Sequence, residues 1–141
     1  FGSYNIVEDD HPFFEQLLQK VDIIFANEDE ARSFTGKSDP VEALNMLAEK
    51  CEIAIVKIGA EGSLVKRGEE VARAAAEKVH KVVDTTGAGD YFAAGFLYGL
   101  SCGESLETCL QKGALLASKV IQVVGTTLPD EVWDEICEKL K

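Results

Sequence analysis

A chain of 141 residues, 46% hydrophobic and 28% charged, has the length and make-up of one globular domain with a sizeable core. Three prolines and twelve glycines exclude a low-complexity or collagenous chain, and no apolar run approaches the ~18 residues of a membrane span. Fourteen basic against twenty-five acidic side chains leave a net charge of −11. That balance opposes nucleic-acid binding, yet it leaves room for backbone amides to capture a small anion.

In chain order, residues 11–20 have helical spacing, with Phe13, Phe14, Leu17 and Leu18 on one apolar face. Val21 to Ala26 reads as a short buried strand. Asn27 follows with Glu30 three residues on, the spacing of a capping box that opens a helix. Asp39-Pro40 is a second helix start, a capping side chain followed by proline at the first helical position, and this helix is predicted to reach about Lys50. Ile53 to Ile58 is the second buried strand. After the Gly59-Ala60-Glu61-Gly62 turn, residues 63–67 and 69–73 read as a hairpin around Arg67-Gly68. Val79 to Val83 is predicted as a further strand. An apolar helix then runs from Tyr91 to Leu100, and another, apolar on most faces, from about Ser105 to Val124. Gly125 and Pro129 interrupt the chain before a terminal helix that starts at Asp130. Strands alternating with helices predict an α/β layered fold with a largely parallel sheet.

Cys51, Cys102, Cys109 and Cys137 show no C-x-x-C spacing, and only His11 and His80 could join them. A zinc cluster is not expected, and the thiols read as reduced cysteines of a cytoplasmic protein. His80 reads as a surface residue, His11 as the first residue of a helix, and Trp133 as the residue that packs the terminal helix onto the body.

The chemistry concentrates in Asp84-Thr85-Thr86-Gly87-Ala88-Gly89-Asp90, a small-residue loop that a strand feeds and that opens a helix. Unpaired amides of a first helical turn, aided by the helix dipole, form an anion site. The loop lacks the G-x-x-x-x-G-K-[ST] pattern of a Walker A loop, and Tyr91-Phe92 breaks the glycine pattern of a dinucleotide fingerprint. Asp90 has two readings at this point. It can act only as a favourable charge at the helix start. It can also accept a hydroxyl proton while neighbouring amides stabilise a transferring phosphoryl group.

The segment DTTGAGDYFAAGFLYGL (residues 84–100) resembles the C-terminal signature of the PfkB, or ribokinase-like, family of sugar and nucleoside kinases. Asn27-Glu28-Asp29-Glu30 resembles its N-x-x-E motif, residues 57–62 its nucleotide-side turn, and GTTLP at 125–129 the stretch before its last helix. The motifs stand in family order and span nearly the whole chain. The resemblance implies a ribokinase-like fold, a central sheet flanked by helices, and ATP-dependent phosphoryl transfer to a hydroxyl of a sugar or nucleoside. It implies Asp90 as the base and the amides of Gly87, Ala88 and Gly89 as the anion hole. It implies that Asn27 and Glu30 arrange water, Mg²⁺ and phosphate, with Glu30 reaching the metal through water. Lys57, Gly59 and Gly62 would rim the ATP site, Lys57 standing where many relatives carry threonine. Asp84 and Thr86 would adjoin a monovalent cation such as K⁺, with backbone carbonyls between about Val120 and Gly125 as its other ligands. Residues 3–8 together with the turn at 57–63 lean toward adenosine-kinase-like bacterial members.

Kinases of this family are longer, and the chain begins with Phe1 rather than Met. The expectation is that residues 1–141 are the C-terminal nucleotide-binding and catalytic portion, with a first strand cut near Gly2. The acceptor-binding half and its lid, through which two copies would form a homodimer, are then absent, and the piece alone is expected to be inactive. The competing expectation is a non-catalytic nucleotide-binding module, or pseudoenzyme, of the same fold.

Overall fold

The computed structural model describes residues 9–141. The expectations for Gly2 and for Ser3-Tyr4-Asn5 fall outside the described residues. The chain divides into two compact units, Phe1–Arg73 and Ala74–Lys141.

The first unit is a sheet covered by short helices. Helix α1 (His11–Leu18) leads to strand β1 (Ile23–Asn27), α2 (Glu28–Thr35), α3 (Pro40–Ala48) and β2 (Ile53–Lys57). A single 3-10 turn (Gly59–Glu61) then leads to the hairpin of β3 (Ser63–Arg67) and β4 (Glu70–Ala74). The spatial order is β1-β2-β3-β4. β1 and β2 run parallel, as a helical crossover between them requires, whereas β2 and β3 are antiparallel. The sheet is therefore mixed: the expected parallel pairing holds at β1–β2, and short turns impose the opposite direction beyond it. Ile24, Ala26, Ala54, Val56 and Leu64 share a core with Phe34, Leu44 and Leu47. Phe14 and Leu18 also enter this core, four residues apart on one side of α1. Phe13 (53% exposed) and Leu17 (39%) stay outside, so α1 is half as apolar in effect as its sequence suggests. The predicted cap at Asp39 is present, its Oδ2 accepting from the Glu42 amide at 3.1 Å.

The second unit is helical. α4 (Ala88–Ser101) and α5 (Leu106–Val120) form a hairpin, followed by α6 (Asp130–Leu140). Two glycines set how closely α4 and α5 approach. A Cβ on Gly95 would overlap the Lys112 carbonyl, and one on Gly113 would stand 2.8 Å from the Phe92 carbonyl. Residues 79–83 are not a strand. The amides of Val83 and Asp84 donate to one acceptor, the Ile121 carbonyl at the end of α5, at 2.7 and 3.3 Å, and Val82 and Val83 are exposed. β-branched residues alone produced the expectation. Among the described residues the segment joins no ladder, and the end of α5 takes the Val83 and Asp84 amides instead.

All four cysteines are free thiols. Burial pushes the half-buried Cys51 up to about 11. His80 is exposed, and His11 opens α1, its Nε2–H donating to the Phe34 carbonyl at 2.8 Å. No described helix is long and apolar enough to cross a membrane.

Candidate functional site

Two groups of residues carry the expected chemistry, one in each unit. In the first unit, Asn27 ends β1 directly beside Lys57 at the end of β2. This is the carboxyl edge of a parallel pair, the edge at which α/β sheets place ligands. Asn27 caps α2: its Oδ1 accepts from the Glu30 amide at 2.8 Å, and Glu30 Oε2 accepts from the Asn27 amide at 2.9 Å. Glu30 is 5% exposed, which this reciprocal box makes tolerable. Just past Lys57, the Ile58 amide donates to the Gly62 carbonyl at 2.9 Å and the Gly62 amide to Gly59 at 3.1 Å. The turn requires positive φ at Gly59 (57°) and Gly62 (104°), where side chains other than glycine are strained. Asn27, Glu30, Lys57, Gly59 and Gly62 therefore gather at one end of the sheet.

In the second unit, the loop 84–87 opens α4. Gly87 is the N-cap residue at φ 79°, with no side chain capping the helix. The amides of Gly87, Gly89 and Asp90 have no partner among the described residues. The Ala88 amide, by contrast, donates to the Thr85 carbonyl at 3.2 Å. Of the expected trio at 87–89, Gly87 and Gly89 keep open amides among the described residues, while a tight turn engages that of Ala88. Asp90 lies in the first turn of α4, next in sequence to Gly89, and is exposed rather than in the core.

Asp84 holds this loop in shape. Its Oδ1 accepts from the Thr86 hydroxyl at 2.6 Å and the Thr86 amide at 2.9 Å, and its Oδ2 accepts from the Gly125 amide at 2.9 Å. The Thr86 hydroxyl, the Thr86 amide and the Gly125 amide, in that order, hold the Asp84 carboxyl down to about 2. With three donors on it, the carboxylate has only its remaining lone pairs to offer a cation. The Ile121 carbonyl, within the stretch expected to supply further cation ligands, already accepts two amides.

Sequence reasoning did not find two contacts at this site. The Tyr91 hydroxyl donates to the Thr126 carbonyl at 2.7 Å, and the Tyr91 ring stacks on Trp133 with centroids 6.0 Å apart. The only trace of them in the sequence is an aromatic hydroxyl directly after Asp90. Trp133 thus packs the terminal helix as expected, and its partner is the first turn of α4.

The family model described as pfkB family carbohydrate kinase matches residues 5–133. The chain belongs to the pfkB family. It is 36% identical over 125 residues to an ATP-dependent 6-phosphofructokinase of Thermoanaerobacterium thermosaccharolyticum, matching 86% of this chain and 38% of that enzyme. The crystal structure of adenosine kinase from Sinorhizobium meliloti superposes with a TM-score of 0.91 at 38% identity, covering 99% of this chain and 43% of that one. Arabidopsis thaliana ribokinase, solved with ribose and ATP, superposes with a TM-score of 0.77 at 32% identity, over 90% of this chain and 43% of its own. The fold is ribokinase-like. This pfkB chain spans about two fifths of the length of these relatives.

Proposed function

We propose that the protein carrying this chain is an ATP-dependent kinase that phosphorylates a hydroxyl of a sugar or nucleoside, with Asp90 as base. The observation that carries this reading is the start of α4: open amides at Gly87 and Gly89 beside an exposed carboxylate at Asp90. A helix start that attracted only phosphate would gain nothing from a carboxylate in its first turn. A phosphoryl transfer needs both. The acceptor oxygen forms a bond to the γ-phosphorus as the bond to the β-phosphate oxygen breaks. ADP leaves, and the acceptor's proton passes to Asp90. In a loose transition state the proton leaves late, so a weak base suffices. The amides of Gly87 and Gly89, backed by the dipole of α4, hold the equatorial oxygens of the transferring group.

The edge residues of the first unit fit the nucleotide. Gly59 and Gly62 let the backbone approach a ligand closely, and Lys57 brings a positive charge to the end of β2. Mg²⁺ bound with the nucleotide would neutralise phosphate charge. It keeps most of its waters and does not need a protein cage. The donor set fits this: no group of three acidic, histidine or cysteine ligands occurs among the described residues, and Glu30, with Oε2 committed to its cap, has Oε1 to accept from a metal-bound water. Asp84 and Thr86 would border a monovalent cation, chiefly through lone pairs their mutual bond leaves unused.

The test is Asp90→Asn in the full-length protein, assayed with MgATP against ribose, fructose and adenosine. Turnover falls by about a thousandfold or more while ATP affinity stays within about twofold. Turnover that survives the substitution contradicts the assignment of the base. ATP binding without turnover in the unsubstituted protein would favour a nucleotide-binding module instead.

A further inference from the structure

Asp90 and the open amides of Gly87 and Gly89 have no partners among the described residues, so their position depends on what anchors the first turn of α4 from outside. Residues 121–126 are tied to that region at four points. Ile121 accepts the Val83 and Asp84 amides, and Asp84 accepts the Gly125 amide. The Thr126 methyl lies 2.8 Å from where a Cβ on Gly87 would stand. The Tyr91 hydroxyl donates to the Thr126 carbonyl at 2.7 Å. The first two hold the loop before the helix, and the third acts on its cap. Among the described residues, the Tyr91 hydroxyl makes the side-chain hydrogen bond from the first turn of α4 to residues 121–126, and Tyr91 is the residue next to Asp90. Its phenol is restrained at both ends, the hydroxyl by the loop and the ring by Trp133 of α6 at an interplanar angle of 27°. Tyr91 also packs, with Ala88, against the cluster of Leu115, Leu116, Val120, Leu128 and Ile136.

We propose that Tyr91 is a positioning residue for phosphoryl transfer: its hydroxyl, anchored on the Thr126 carbonyl, fixes the first turn of α4 and so the placement of Asp90 and the Gly87 and Gly89 amides. This deepens the kinase reading and rests on it. Binding a polyanion pulls on this turn, and the bond to Thr126 resists that pull at the residue where displacement would matter most. A small displacement of a base costs rate rather than ground-state affinity. Thr126 is exposed, so water replaces the lost bond if the hydroxyl is removed, and stability barely changes.

Tyr91→Phe in the full-length protein separates this role from simple packing, because it keeps the ring and its stack and removes only the hydroxyl. The expected result is a drop in kcat of about ten- to a hundredfold, with KM for MgATP and the melting temperature nearly unchanged. Hydrogen exchange of the ligand-free protein gives a readout independent of any acceptor: Tyr91→Phe speeds exchange in residues 84–92 and 121–126 and nowhere else. An unchanged kcat, a loss of kcat matched by a loss of melting temperature, or unchanged exchange would each overturn the proposal. Turnover surviving Asp90→Asn would instead overturn the kinase chemistry, and the exchange result would stand apart from it.

Discussion

Two helix starts in this chain solve the same physical problem in opposite ways. Every helix begins with amides that lack acceptors within it. At α2, Asn27 and Glu30 satisfy each other's amides in a closed box. At α4, Gly87 supplies no side chain, and the amides of Gly87 and Gly89 are left open. The closed start stabilises the fold. The open start gives up that stabilisation and keeps donors for something that arrives from solution. The difference between them, more than the glycines alone, is what places the proposed anion site at the start of α4.

Among changes that probe this contrast, closing or distorting the open start has the largest expected effect. Gly87→Ala adds a Cβ at φ 79° and only 2.8 Å from the Thr126 methyl. Left-handed backbone costs a side chain about 1–2 kcal/mol, and the loop has to move as well. Turnover with MgATP falls by about a hundredfold, far out of proportion to the loss in melting temperature. Near-normal kinetics in this variant would mean that the geometry of the open start does not matter.

The closed start responds differently. Asn27→Ala removes a cap and costs about 1 kcal/mol of stability, measured by denaturant unfolding. If it costs nothing, the box is ornamental and the contrast between the two starts is lost.

The smallest effect concerns acid. The Asp84 carboxyl is held at about 2 in the folded protein against 3.8 for the ordinary group. A lowered folded-state value adds stability that is complete above the unfolded value and is lost as pH falls through the folded one. The loop's share of stability therefore fades between about pH 4 and pH 2. Asp84→Asn removes that dependence, and the acid-unfolding profiles of variant and parent converge at the bottom of the window. Parallel profiles throughout would show that the three bonds to Asp84 do not persist in solution.

What could be read from the sequence depended on distance along the chain. The box of Asn27 and Glu30 was legible because both halves lie within one turn. So were the cap at Asp39 and the hairpin at Gly68, each set by adjacent residues. The link from Tyr91 to Thr126 spans 35 residues and left no local pattern. The Thr85 carbonyl that takes the Ala88 amide was equally hidden, since it depends on how tightly the loop turns. Lys112 sits in a helix that reads as apolar on most faces, yet it is buried. Its ammonium donates to Glu104 Oε1 at 2.8 Å and to the Leu140 carbonyl at 2.9 Å, and it lies over the Tyr98 ring. Those partners come from α4, the loop after it and the end of α6, and no single window of sequence holds them. The misplaced strand at 79–83 shows the converse: β-branched residues suggest extension, but a ladder needs a neighbour.

The most direct measurement is a titration of the isotope-labelled full-length protein with MgATP, following individual backbone amide resonances. The Gly87 and Gly89 amides are expected to shift downfield together and saturate with one dissociation constant, while the Thr108 amide, already bonded to Ser105 Oγ at the start of α5, stays where it is. Saturable ATP binding that leaves Gly87 and Gly89 unmoved would contradict the account.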